Sequence, residues 1–232
     1  MNVSVSGLRA GYGSATIIEG LDLNVGEGEA YAIVGRNGMG KTTLVKALLG
    51  YLPGTTGTVR ISGHETGGWP THRIIRLGIG YAPQEENLFS ELTVGDNLDF
   101  GRARGNGPDS LRDYVLSHFP VLGSRLRQHA GTLSGGEQKM LVLARTLVLE
   151  PTLVILDEIS DGLQPAMVSK VQELLLDIRR QRGVTIIMVE QNLDLALALA
   201  DRVAVMKRGS LVHETASESP TAHQELVQEL AP

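Results

Sequence analysis

Cysteine is absent from the 232-residue chain, which excludes a disulfide framework, a thiolate zinc site and a cysteine nucleophile in one step. Nothing calls for an oxidising compartment, and a reducing cytosol is the simpler setting. Aromatic residues are scarce at 4%, too few for a ladder of base-stacking platforms. A basic excess is missing as well: 21 Lys and Arg stand against 26 Asp and Glu, for a net charge of −5. Proteins that coat nucleic acid carry the opposite balance or a basic stripe, so no nucleic-acid partner is expected. Long apolar runs are also lacking. Stretches such as Leu195–Ala200 fall far short of the roughly 20 residues that a membrane span needs. Met1–Ser6 has neither the basic start nor the apolar run of a signal peptide. The expectation is a soluble protein, free to dock onto a membranous partner.

What is present is an average globular composition, 42% hydrophobic and 20% charged. That length gives one large domain, or one domain with a subdomain, and a core that needs no staple. There is no repeat of 20–50 residues, no low-complexity tract and no heptad seam. Short β-branched runs predict strands at Val3–Ser6, Leu21–Val25, Ala30–Val34, Thr58–Ile61, Gly80–Ala82, Leu153–Leu156 and Val184–Val189. A late hairpin is expected from Val203–Met206 and Leu211–His213 around Arg208-Gly209-Ser210. Apolar periodicity predicts helices over Lys41–Leu49, Gly136–Leu149, Val168–Arg180 and Leu193–Ala200. Ala222, Leu226 and Leu230 form one further apolar stripe. Residues from about Glu86 to Glu150 are helix-rich, with Pro108 and Pro120 as breaks. Strands and helices alternating on both sides of that stretch imply a mostly parallel α/β sheet with a helical insertion.

The sharpest chemical signal is Gly35-Arg36-Asn37-Gly38-Met39-Gly40-Lys41-Thr42. It fills every position of the phosphate-loop pattern, directly after a predicted strand and directly before a predicted helix. Its glycines let backbone N–H groups turn inward around an anion, and the helix points its positive end the same way. Lys41 adds a charge for the β- and γ-phosphates, and the Thr42 hydroxyl can ligate Mg²⁺.

Two more signals gain meaning beside it. Leu153-Val154-Ile155-Leu156-Asp157-Glu158 is an apolar strand that ends in two carboxylates. Alone it could be a strand running into a surface loop. With a phosphate loop present, Asp157 becomes a holder of Mg²⁺ and Glu158 a base that orients the attacking water. Leu133-Ser134-Gly135-Gly136-Glu137-Gln138 opens a long apolar helix, and by itself would need no explanation beyond an N-cap serine.

Together these three motifs resemble the ATP-binding cassette (ABC) ATPases over nearly the whole chain. The resemblance implies a P-loop NTPase core with an antiparallel β subdomain and an inserted helical subdomain. It divides the chain into a nucleotide-binding core (1–84 and 151–232) and a helical signature subdomain (85–150). ATP and Mg²⁺ are the implied cofactors, and hydrolysis to ADP and phosphate the implied reaction. Nucleotide contacts would come from Tyr12, stacking on adenine, and from Gly35, Arg36, Asn37, Gly38, Met39, Gly40, Lys41, Thr42 and Thr43. Ser134, Gly135, Gly136 and Gln138 would supply the signature contact, closing on the γ-phosphate of a facing cassette. Gln84, in Tyr81-Ala82-Pro83-Gln84, matches the loop glutamine that reaches Mg²⁺ and the attacking water, which makes Thr42, Gln84 and Asp157 the implied metal set. Ser160-Asp161-Gly162-Leu163 occupies the D-loop position.

Two departures stand out. Ile159 follows Glu158 where relatives usually carry proline, with little consequence expected for the chemistry. At the switch position, where a histidine is usual, the chain reads Val189-Glu190-Gln191-Asn192. Gln191 can donate an amide N–H to a γ-phosphate, but it does not titrate near neutral pH. That switch, with Ala130–Gln138, resembles the ATPases of branched-chain amino-acid importers, whose near relatives move urea and short amides. Catalytic roles are thus expected for Glu158, Gln84 and Gln191. Implied partners are a second cassette, identical or different, an integral membrane permease and an extracytoplasmic solute-binding protein. The chain would then sit peripherally on the cytoplasmic face of the membrane. An ABC ATPase acting on nucleic acid or the ribosome is disfavoured by the single acidic cassette. The six histidines are scattered, Trp69 reads as a loop anchor, and Arg102–Asn106 as a small solvated basic loop.

Overall fold

The computed structural model describes residues 1–84, 88–100 and 109–231. The predicted basic loop at Arg102–Asn106 lies outside the described residues, as does Pro108.

Two sheets organise the chain. Strands β1 (Val3–Tyr12), β2 (Ala15–Val25), β4 (Thr56–Ile61) and β5 (His64–Glu65) form an antiparallel sheet in the order β2-β1-β4-β5. The β1–β2 hairpin is much longer than the sequence predicts. Register shifts at Val5/Leu8, Leu8/Arg9 and Ala10/Gly11 break the two-residue alternation, so its outer half carries no clean strand pattern. The second sheet runs β10-β9-β3-β8-β7-β6, built from β3 (Ala30–Val34), β6 (Ile79–Ala82), β7 (Leu153–Asp157), β8 (Thr185–Glu190), β9 (Arg202–Lys207) and β10 (Ser210–Ala216). It is parallel from β9 to β6, with β10 as its antiparallel edge.

The central strands are apolar throughout because both their faces are covered. Ala30, Ala32 and Val34 of β3 face one core with Val154, Leu156, Ile186 and Met188. Tyr31 and Ile33 face the other with Leu153, Ile155, Ile187 and Val189. The second core is closed by the antiparallel sheet and by α1 (Lys41–Leu48), which buries Leu44, Val45 and Leu48. Truncating a side chain as deeply held as Leu44 costs about 2–5 kcal/mol.

The first core is closed by the remaining long helices. Between β6 and β7 come α3 (Val94–Phe100), α4 (Asp109–His118), α5 (Pro120–Gly123) and α6 (Gly135–Leu147). After β7 come α7 (Pro165–Arg182), α8 (Leu193–Leu199) and α9 (Ala222–Leu230). α7 buries Val171, Leu174, Leu175 and Ile178, the i, i+3, i+4, i+7 stripe of an amphipathic helix. It starts three residues earlier than predicted, with Pro165 in its first turn, and ends at Gly183 in the left-handed conformation. α6 stops at Leu147, two residues short of the prediction, and Glu150 turns the chain with φ 53°. The one-turn helix α2 (Thr71–Ile75) has no sequence counterpart, since only Ile74 of it is buried. Trp69 anchors that turn, with the Arg73 guanidinium 3.6 Å from its ring centre.

No helix among the described residues is long and apolar enough to cross a membrane.

Candidate nucleotide-binding site

Four neighbouring parallel strands, β3-β8-β7-β6, end on the same edge of the sheet. Each releases its chain there into a segment with a functional group: the phosphate loop after β3, Gln191 after β8, Asp157 and Glu158 at the end of β7, and Gln84 just past β6. Open parallel sheets place ligands at this edge. Residues separated by more than 150 positions thereby come within hydrogen-bond distance.

The phosphate loop is held in shape by backbone requirements. A Cβ on Gly35 would lie 2.7 Å from the Met206 carbonyl oxygen, so β9 approaches too closely for any other residue. Gly40 takes φ 105° as the residue that starts α1, and no side chain caps that helix. The Gly209 N–H donates to the Met39 carbonyl at 2.9 Å, which ties the loop to the β9–β10 turn. Lys41 points back under the loop, its ammonium donating to the carbonyls of Gly35 at 2.7 Å and Arg36 at 3.1 Å. Asn37, Gly38, Gly40, Lys41, Thr42 and Thr43 all line the cleft above it.

The two carboxylates differ in surroundings. Asp157 is buried, accepting from the Thr42 hydroxyl at 3.1 Å and from the Tyr81 hydroxyl at 3.4 Å. Burial, reinforced by the neighbouring Glu158 charge, outweighs these bonds and pushes its carboxyl up to about 6. Glu158 sits at φ 49°, a conformation that non-glycine residues rarely adopt and that recurs at functional sites. Its Oε1 pairs with Lys41 at 3.0 Å, while Oε2 accepts from the Gln84 amide at 2.8 Å and the Gln191 amide at 3.0 Å. The Gln191 amide also donates to Asn37 Oδ1 at 2.7 Å, bridging the switch position to the phosphate loop. Both partners of the Lys41–Glu158 pair are almost fully buried, so removing either leaves a costly unpaired charge. Ile159, where proline is usual, packs into the core.

Tyr12 stands at the rim, 48% exposed, with the Lys46 ammonium 6.0 Å from its ring. It borders a cleft of about 400 Å³ together with Thr42, Lys46, Tyr51, Tyr81 and Gln84. Lys46, Tyr51 and Tyr81 were not expected from the sequence. Tyr81 was legible in principle, as it sits in the same four-residue segment as Gln84, but nothing in that segment marks its hydroxyl as a partner of Asp157.

The signature segment lies elsewhere. Ser134, Gly135, Gly136 and Gln138 line none of the clefts bordered by Lys41 or Glu158 among the described residues. Ser134 opens α6 with a full capping box: its Oγ accepts from the Glu137 N–H at 3.4 Å, and Glu137 Oε2 accepts from the Ser134 N–H at 2.9 Å. Gln138 directs its amide to the carbonyls of Ala130 and Leu133 at 3.3 and 3.1 Å, so in this chain it braces its own loop. The histidines make peripheral contacts, such as His213 with Glu225 at 3.3 Å.

The residues 18–161 match the family described as ABC transporter. The chain belongs to the ABC transporter family. It is an ATP-binding subunit of that family and an ATPase. Among similar proteins is the high-affinity branched-chain amino acid transport ATP-binding protein BraG of Pseudomonas aeruginosa, 40% identical over 207 residues and 88% of each chain. The probable branched-chain amino acid transport ATP-binding protein LivF of Archaeoglobus fulgidus is 33% identical, covering 94% of this chain and 93% of that one. Relatives at 34% and 33% identity are named for Fe(3+) import in Rhodococcus jostii and for Nod factor export in Rhizobium, so names at that distance do not agree on a solute. Among solved structures, CbiO1 of Clostridium perfringens, described as part of the ABC transporter complex CbiONQ, superposes with a TM-score of 0.81 at 28% identity, covering 98% of this chain and 93% of that one.

Proposed function

We propose that the chain is the ATP-hydrolysing subunit of an importer of branched-chain amino acids, bound peripherally to its permease on the cytoplasmic face of the membrane. The observation that carries the catalytic part is the convergence of Lys41, Gln84 and Gln191 on one buried carboxylate, Glu158. The phosphates of ATP compete with Glu158 for the Lys41 ammonium, since both are anions at one cation. Once Lys41 turns to phosphate, Glu158 keeps its two amide donors and has an oxygen free to take a proton from the attacking water. Gln191, whose two amide N–H groups serve Glu158 and Asn37 in this structure, exchanges Asn37 for the γ-phosphate and donates to it without carrying a charge.

Mg²⁺ fits the residues present. The Thr42 hydroxyl and the Asp157 carboxylate meet at 3.1 Å, both are hard oxygen donors, and a cation relieves the burial that raises Asp157. Thr42, Asp157 and Gln84 would hold it, and bound there it neutralises phosphate charge. Tyr12 serves as the adenine platform.

Residues 1–84 and 151–232 form the nucleotide-binding core in this reading, and 85–150 the helical signature subdomain. The exposed N-terminus of α6 serves a facing cassette, because among the described residues Ser134–Gly136 do not line the cleft bordered by Lys41 and Glu158. The permease docks beside Gln84, on a groove of about 550 Å³ lined by Tyr51, Ile75, Pro83, Phe89, Phe100 and Leu149. Phe100 is 60% exposed and Phe89 42%, a concentration of apolar surface that marks a contact face.

The amino-acid assignment rests on the two relatives named for that transport and on the Gln191 switch. Reconstitution with the adjacent-gene permease and binding protein in ATP-loaded vesicles tests it. Uptake of leucine, isoleucine and valine with matching ATP consumption is expected. Uptake of urea or Fe³⁺ in their place would overturn the solute while leaving the ATPase reading intact.

A further inference from the structure

Glu190 ends β8 with 1% of its surface exposed, the most deeply buried carboxylate near the site that the chemistry above does not use. Burial pushes its carboxyl above the usual range, opposed by hydrogen bonds from the backbone and side chain of Ser160 and from the backbone of Gln191 and Asn192. A buried ionisable group of this kind is costly unless its oxygens are fully engaged.

They are. Oε1 accepts the Ser160 N–H at 3.0 Å, and Oε2 accepts both the Ser160 hydroxyl at 2.8 Å and the Gln191 N–H at 3.2 Å. Ser160 lies two residues beyond Glu158, and Gln191 contributes the amide that Glu158 accepts at 3.0 Å. One carboxylate therefore fastens the loop leaving Glu158 to the residue facing it from the next strand. Glu158 itself sits at φ 49° and needs support from outside its own backbone. Further along the same loop, the Lys139 ammonium donates to the Asp161 carbonyl at 2.5 Å, so the loop is tied from α6 as well.

We propose that Glu190 is a positioning residue for ATP hydrolysis, clamping the 158–162 loop to Gln191 so that Glu158 and the switch amide hold one shared geometry. This rests on the reading of Glu158 as the base. The clamp demands a carboxylate. An amide of the same shape presents an NH₂ at one of the two oxygen positions, and in either orientation a backbone N–H, of Ser160 or of Gln191, meets a donor instead of an acceptor.

The test is steady-state hydrolysis and ATP binding by the full chain, with turnover expressed per calorimetrically counted nucleotide site. Glu190→Gln should lower kcat roughly tenfold or more, the effect of an unpaired buried N–H displacing the reacting groups, with the ATP Kd within about twofold. Ser160→Ala, which removes one of the three bonds and keeps both backbone N–H donors to Glu190, should lower kcat less. In the double variant the two losses should not add, because both break one clamp. Glu158→Gln is measured alongside. If Glu158→Gln stalls hydrolysis while kcat per site in Glu190→Gln and Ser160→Ala equals wild type, the positioning role is overturned and Glu190 is only a fold element. If Glu158→Gln turns over normally, the base assignment itself falls. Should Glu190→Gln not fold, Ser160→Ala decides: an unchanged kcat per site overturns the clamp.

Discussion

Two helices in this chain begin with glycine-rich turns of similar sequence character, and they finish their N-termini in opposite ways. α1 begins at Gly40 with no side-chain cap, and the first residue of the helix is a buried lysine. α6 begins at Ser134 with a complete capping box, and its third residue is a carboxylate whose ionised form the Ser134 N–H favours. Unsatisfied N–H groups beside a cation suit an anion supplied from outside. A self-capped turn stays folded without one. The first end thus suits the phosphate that the proposed function places there in its own chain. The second is stable and exposed but incomplete as a site, which is the arrangement expected if its anion arrives on another cassette.

The largest expected effect tests what the α1 end organises. Glu158→Gln should retain ATP binding and lose turnover by on the order of 10²–10⁴, the usual contribution of one general base; rapid-quench assays of phosphate release check it. Lys41→Ala comes next. Loss of a charge-assisted contact should weaken ATP binding on the order of 10–100-fold, read by calorimetry, and an unchanged affinity would remove the distinction between the two helix ends. Gly135→Asp reverses the comparison. A carboxylate at the α6 end should leave ATP binding to the isolated chain within about twofold, while abolishing any ATP-driven association through like-charge repulsion. The smallest effect concerns the cap. Ser134→Ala should cost about 1 kcal/mol of stability, seen as a lower denaturation midpoint with no change in monomer ATP affinity.

The same contrast shows what the sequence could and could not reveal. Lys41, Thr42, Asp157 and Glu158 were legible because a strand, a turn and a charged end follow one another directly in the chain. Their convergence with Gln84 and Gln191 was legible only through the family resemblance, since it depends on the order β3-β8-β7-β6, which no local pattern encodes. Glu190 carries the same signal as Asp157, a carboxylate closing an apolar strand, but nothing in the sequence sets it against Ser160. The outer half of the β1–β2 hairpin was missed because its bulges break the alternation. Gln138 is expected at the nucleotide of a facing cassette from its place in the signature; that its amide also braces the carbonyls of its own loop depends on side-chain geometry that the motif does not encode.

The central claim is that α1 binds ATP in its own chain while α6 completes the site of another. Sedimentation of Glu158→Gln, alone and mixed with the partner cassette, with ATP and then with ADP, tests it most directly. Only ATP offers the γ-phosphate that both helix ends share, so the account predicts a long-lived dimer with ATP and monomers with ADP. Monomers in every mixture, at concentrations well above the nucleotide Kd, would contradict it.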